Sequence, residues 1–231
     1  MINHFNLNRS ILIQGDTAPG KSSSGGLQQL VDSFGQLNLP QIGMAFSGLS
    51  RAQAAIGSQT ALVFLLGVVV AYLVLAAQYG SYIDPLITLA TVPLGILGGI
   101  LFLLARGLDN NIFAQVGLLT LVGLAAKNGI LIVSLANTNM QEGMDPAQAA
   151  LAATRSRFRP ILMTSSAALS GFFPLVIATG ASQLSQRSLG AVIFGGLLVS
   201  TATSLLIVPA VYTTVKTFME RRRIGQSAAA G

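Results

Sequence analysis

Five long apolar runs dominate this chain, and they restrict it to one kind of fold. They cover roughly residues 58–78, 85–106, 112–138, 160–180 and 188–218. An α-helix needs about 20 mostly apolar residues to cross a bilayer. Within lipid the backbone must satisfy its own N–H and C=O groups, so runs of this length read as helices packed on one another. Charge content excludes the soluble alternative. Only 9% of the 231 residues are charged, against about 25% in an average soluble domain. The expected fold class is an all-α transmembrane helix bundle of five spans, with the lipid bilayer as its first partner.

Residues 1–56 differ. "SILIQG" (Ser10–Gly15) and "QIGMAFSG" (Gln41–Gly48) are strand candidates, and the first is closed by the turn-rich "DTAPGKSSSGG". Between them, "LQQLVDSFGQL" (Leu27–Leu37) spaces its apolar residues for a helix. The expected unit is a small β-α-β piece over 1–56. It is followed by the membrane domain at 57–219 and a tail at 220–231. Between the third and fourth runs, "DPAQAALAATRSRF" (Asp145–Phe158) reads as a short helix, with Asp145 as N-cap and Pro146 in the first turn.

The basic residues set an expected orientation. With the C-terminus inside, segments 139–159 and 219–231 hold three basic residues each, while the outer loops hold only Arg187, with Arg106 at an edge. Five spans then place the N-terminal piece outside. A head carrying Arg9, Lys21 and Arg51 is expected to cross behind an earlier span. The sequence therefore reads as the C-terminal part of a larger transporter. The net charge of +6 flanks the spans and forms no basic face for nucleic acid. With no cysteine and one histidine, no thiolate metal site is expected, nor any cofactor. An intramembrane hydrolase is equally disfavoured: the spans hold no acidic residue or histidine, and Ser134 lies about 10 Å along the helix from Lys127.

Lys127 is the anomaly. It sits near the middle of the third run, where a charge costs about 2.5–3.5 kcal/mol on insertion scales. Thr120, Gly123, Lys127, Ser134 and Thr138 share one helical stripe. The acidic residues are Asp16, Asp32, Asp84, Asp109, Glu142, Asp145 and Glu220, and none falls inside a run. A lysine side chain of about 6 Å is too short to reach an interface roughly 15 Å away. Either Lys127 is neutral, or its anion comes from another segment.

"IFAQVGLLTLVGLAAKNGILIV" (Ile112–Val133) and "RSRFRPILMTSSAALSGFFPLVIATGA" (Arg155–Ala181) resemble the tenth and eleventh transmembrane helices of resistance–nodulation–division (RND) efflux permeases of the hydrophobe/amphiphile type. "LAAQYGSYIDPLITLATVPLGILGG" (Leu75–Gly99) is similar to the eighth-to-ninth turn, and "GAVIFGGLLVSTATSLLIVPAVY" (Gly190–Tyr212) to the twelfth. "GDTAPGKSSSG" and "AFSGLS" are similar to the end of the periplasmic porter domain. The resemblance implies a proton/substrate antiporter rather than an enzyme, in the bacterial inner membrane. It also implies a homotrimer working with a periplasmic adaptor and an outer-membrane channel. By motif match the proton relay comprises Lys127, Thr164 and Arg157, and their acidic pair lies on an N-terminal half. The alternative is a truncated, transport-inactive remnant or interaction protein. Ser134 and Asn137 stand where the family commonly has an acidic and a basic residue. Lys127 argues against the metal-exporting branch. For Thr164, a hydrogen bond to the Pro160 carbonyl is the structural alternative; for Arg157, it is a plain topology role.

The remaining features read as packing devices. Gly95 and Gly99, and Ala191 with Gly195, make small faces for close helix approach. Pro93, Pro174 and Pro209 are expected to kink their helices. Ser200, Thr203 and Ser204 are expected to bond across helices.

Overall fold

In the computed structural model, the described residues are 3–15, 23–37, 39, 42–48, 50–51, 60–180 and 182–229, with side chains described as far as 219. Strands β1 (Asn3–Phe5) and β2 (Asn8–Ser10) pair antiparallel in the register Asn3↔Ser10, His4↔Arg9, Phe5↔Asn8. Asn6 and Leu7 form the turn with φ of 53° and 68°, the left-handed pair that suits a two-residue hairpin. Helix α1 (Ser23–Gln36) follows.

The expected β-α-β unit is corrected to β-β-α. Residues 42–47 form no strand, and residues 11–15 none either. Alternation favours a strand only if another strand lies alongside to take its backbone hydrogen bonds. The hairpin partner is supplied locally by residues 3–5, and no described strand pairs with 42–47. Most of "DTAPGKSSSGG" and Gln41 lie outside the described residues.

The remainder is helical: α2 (Thr60–Tyr79), α3 (Asp84–Leu89), α4 (Val92–Ala105), α5 (Ile112–Gln141), α6 (Pro146–Val176) and α7 (Gln183–Ala229). By length and composition four helical stretches can cross a membrane: Leu62–Tyr79, Asp84–Ala105, Ile112–Gln141 and Gln183–Met219. The second is not one straight helix. It breaks at Ala90 and Thr91, just ahead of Pro93 in the first turn of α4, because proline lacks the N–H that would continue the ladder.

The expected short helix at 145–158 and the expected span at 160–180 are one element, α6, which runs through Pro160. Its N-terminus is as read: the Asp145 side chain accepts from the Ala147 N–H. Arg155, Arg157, Arg159 and a run of serines dilute its apolar character, so it is not among the four.

Helix α7 is the hub, packed along α4, α5 and α6. Glycines permit the approach. A Cβ on Gly99 would stand 2.9 Å from the Val192 carbonyl oxygen, and one on Gly195 would collide with Phe102 Cβ. Gly95 would meet Ser200 Cβ at 3.1 Å. Between lipid-bathed helices such packing, rather than water exclusion, supplies the association energy. At the end of the bundle near α3, Ile87, Ile132, Val133, Ile161, Val208 and Tyr212 close the largest apolar cluster. Helix α2 packs through one face only, with Phe64, Val68 and Ala71 against Val92, Val122 and Ala125, and leaves Leu62, Leu65, Leu66, Val69, Leu73 and Val74 exposed.

Candidate functional site

Three polar tiers tie the bundle together. At the end of the bundle where α6 finishes, Arg106 Nη2 donates to the Val176 carbonyl at 3.0 Å and Arg187 Nε to the Ala178 carbonyl at 2.7 Å. These are orphan carbonyls at the C-terminus of α6, where the helix dipole is negative. The two arginines that break the charge bias thus have a structural task. Asn111 caps α5 by accepting from the Phe113 and Ala114 N–H groups, and it donates to Ser188 Oγ on α7 at 2.8 Å.

The middle tier joins α5, α6 and α7. Asn128 Nδ2 donates to Thr201 Oγ1 at 3.3 Å, and Thr201 Oγ1 lies 3.0 Å from Ser165 Oγ. Thr201 is also 2.7 Å from the Leu197 carbonyl, and its single proton can serve only one of these. All three residues are buried. Ser200, Thr203 and Ser204, expected to bond across helices, instead bond to carbonyls of their own helix at Leu197, Val199 and Thr201. A hydroxyl in a helix reaches the carbonyl three or four residues back without moving. Of these hydroxyls, Thr201 is the one with polar side chains of neighbouring helices, Asn128 and Ser165, within reach.

Above this tier lies a shallow recess lined by Leu124, Lys127, Asn128, Thr164, Ser165, Ala168 and Leu197. Lys127 and Thr164, predicted from separate helices, therefore share one site. Thr164 Oγ1 donates to the Ile161 carbonyl at 3.1 Å, three residues back rather than the four expected for Pro160. Arg157 does not line the recess. It sits two turns earlier on α6, about 10 Å toward that helix's N-terminus, half-buried, with its Nε lacking a hydrogen-bond partner among the described residues.

The side of α5 that carries Lys127 is inverted for a membrane bundle. Thr120, Gly123, Lys127, Ser134 and Thr138 are all exposed, while Leu121, Ala125, Ile132, Val133 and Ala136 are buried. The polar stripe faces away from this chain's own core. Among the described residues Lys127 makes no ion pair.

The third tier, at the opposite end from the two arginines, is one that sequence reasoning misses. Asp84, which flanks a span in the sequence, is 3% exposed. Its Oδ1 is 2.8 Å from Lys216 Nζ, and its Oδ2 accepts from Asn137 Nδ2 at 2.8 Å. Tyr212 O–H donates to Asn137 Oδ1 at 2.7 Å. Its ring lies 5.4 Å from Lys216 Nζ, within cation–π range. The available signal is the pairing of an acid at the start of span two with a base at the end of span five.

These features define a polytopic membrane helix bundle that carries one matched and one unmatched lysine. The family profile described as AcrB/AcrD/AcrF matches residues 1–216, and the chain belongs to that family, in line with the RND resemblance of its motifs. It is 39% identical over 213 residues to the multidrug resistance protein MdtF of Escherichia coli (strain K12), covering 92% of this chain and 20% of that protein. It is 38% identical over 215 residues to the toluene efflux pump membrane transporter TtgE of Pseudomonas putida, at 93% and 20% coverage. With the solvent-resistant pump membrane transporter SrpB of Pseudomonas putida the identity is 40% over 212 residues, at 91% and 20%. The chain thus spans about a fifth of the length of these relatives.

Proposed function

We propose that this chain supplies the cationic side of the proton-coupling site in a multidrug or amphiphile efflux permease of the bacterial inner membrane. The single observation that carries this reading is the outward-facing polar stripe of α5 with Lys127 at its centre. A charge and hydroxyls turned toward hydrocarbon are unfavourable, so the stripe is a contact face for another transmembrane segment that supplies carboxylates. In this reading protonation of such a carboxylate weakens its attraction to Lys127⁺, and the helices shift. Thr164 offers a hydroxyl at the same recess, and Arg157 a second cation toward the inner end. Gly95, Gly99 and Gly195 let α4 and α7 pack closely along their middle turns.

The working unit is a longer permease in which α6 forms the fourth of this chain's five spans. Residues 1–56 are periplasmic, 57–219 make up the membrane domain, and the tail from 220 is cytoplasmic. The bias of Arg155, Arg157, Arg159 and the basic tail supports this orientation. The names of the relatives support drugs or solvents as cargo. A homotrimer acting with a periplasmic adaptor and an outer-membrane channel completes the assembly.

The test is drug efflux by cells expressing the chain with its flanking upstream sequence, compared with the chain alone. The longer protein is expected to confer resistance that Lys127→Ala abolishes. Lysine-dependent resistance from the chain alone defeats the shared-site reading. Absence of resistance from both favours the remnant reading.

A further inference from the structure

Asp84 and Lys216 take no part in the proposed relay, yet they form the one ion pair among the described residues. Three features distinguish this pair from a static brace. Its ends differ in exposure: the carboxylate side chain is 4% exposed and the lysine 19%. The cation is the more open end and the anion the enclosed one. Separation therefore proceeds by withdrawal of Lys216, because hydrating Asp84 would require lifting α3 out of the bundle.

Each charge also has a second partner. In the paired state Asn137 Nδ2 already donates to Asp84 Oδ2, a bond that does not involve Lys216, and the Tyr212 ring centroid lies 5.4 Å from the ammonium. Finally, Asp84 opens a six-residue helix that is separated from α4 by the break at Ala90 and Thr91. Ile87 and Thr88 hold this short lever to α5, where Gly129 lets the Thr88 backbone approach. The ion pair is its charged tie to α7.

We propose that the Asp84–Lys216 pair is a releasable latch: withdrawal of Lys216 frees the α3–α4 elbow to move against α7. That end of the bundle then has two discrete packings, and the latch sets which one is occupied. This role is independent of Lys127 and its carboxylate partners.

The sequence contributes no cysteine of its own, which permits a direct test in the full-length permease freed of cysteines elsewhere. Asp84→Cys and Lys216→Cys are introduced together and bridged with a short, reducible bis-methanethiosulfonate. Bridging is expected to cut efflux about tenfold, as for a blocked gating step, and reduction to restore it. A bridged permease that pumps as fast as the unbridged one shows a static brace and overturns the latch.

A second arm needs no transport. Ala136→Cys places a thiol at a fully buried site beside Asn137. Adding Lys216→Gln is expected to raise its labelling by a water-soluble maleimide about fivefold, through local opening. An unchanged labelling rate overturns the latch. If the parent permease does not pump, the functional reading fails, and this second arm decides the latch alone. It also decides if the double-cysteine protein does not fold.

Discussion

The two lysines of the membrane domain stand in opposite circumstances. Lys216 lies near an end of the bundle, 2.8 Å from a buried carboxylate and over a tyrosine ring. Lys127 lies mid-span, exposed, with no anion among the described residues. Composition alone ranks them the other way, since a lysine near a helix end can reach water and one at the centre cannot. The difference teaches that a matched buried charge serves this chain's own packing, while an unmatched one points to what the chain must meet. The carboxylate partner of Lys216 is far away in sequence, at the start of α3, yet it arrives on a helix packed against α7.

The largest expected effect separates these roles. In the full-length permease, Lys127→Ala is expected to bring drug resistance down to the background of cells without the pump, with protein level unchanged. Unfolding of the detergent-solubilised chain without its upstream sequence should shift by less than about 0.5 kcal/mol, because Lys127 is there an exposed position without an ion-pair partner among the described residues. A variant that loses both resistance and expression would make Lys127 structural and erase the contrast.

Lys216 is expected to show the reverse pattern in stability. Lys216→Met leaves Asp84 buried and uncompensated, at about 3–5 kcal/mol. Adding Asp84→Asn should return most of that loss, since the new amide can still bond Asn137 while no charge remains buried. Thermal unfolding of the single and double variants checks this. If the double variant is as damaged as the sum of the singles, the pair is not energetically coupled.

How much of this is legible in the sequence follows from which interactions are local. The N-cap at Asp145, the start of α5 and the polar stripe around Lys127 depend on neighbours within a few residues, and sequence spacing carries them. The family motifs add Thr164 to the same site. The Asp84–Lys216 pair and the Asn128–Thr201–Ser165 tier depend on which helix faces meet, and no single-helix pattern encodes that. Windows of hydropathy place Asp84 outside the span, although the first turn of a helix can still be buried. The strand expected at 41–48 fails for a related reason: its alternation describes one strand, while a sheet needs two. Pro160 reads as a boundary, but a proline is tolerated within a membrane helix when neighbouring groups satisfy the freed carbonyl.

The packing seam provides a third, smaller contrast. Gly195→Ala is expected to cost about 1–3 kcal/mol through overpacking against Phe102, because its Cβ has no room between α4 and α7. Gly123→Ala, on the exposed stripe with nothing near its Cβ in this chain, should be neutral or slightly stabilising in any preparation that lacks the partner segment. In the full-length permease the same change should lower efflux if another helix lies on that face. Unfolding and efflux measured on both variants check the pair. Equal effects of the two changes on stability would remove the distinction between an internal seam and a face awaiting a partner.

The smallest effect belongs to the two arginines at the end of α6. Arg187→Gln removes a charged donor from the Ala178 carbonyl at the end of α6. A cation at a helix C-terminus contributes about 0.3–1 kcal/mol, and glutamine can replace part of the hydrogen bond but none of the charge. Arg106 on the neighbouring Val176 carbonyl limits the damage, so the single variant should shift unfolding by less than the Arg106→Gln/Arg187→Gln double variant. Hydrogen exchange at the last turn of α6, followed by mass spectrometry, reads this locally. If exchange there is unchanged in the double variant, the two arginines do not cap α6, and they stand again as unexplained exceptions to the charge bias that orients the chain.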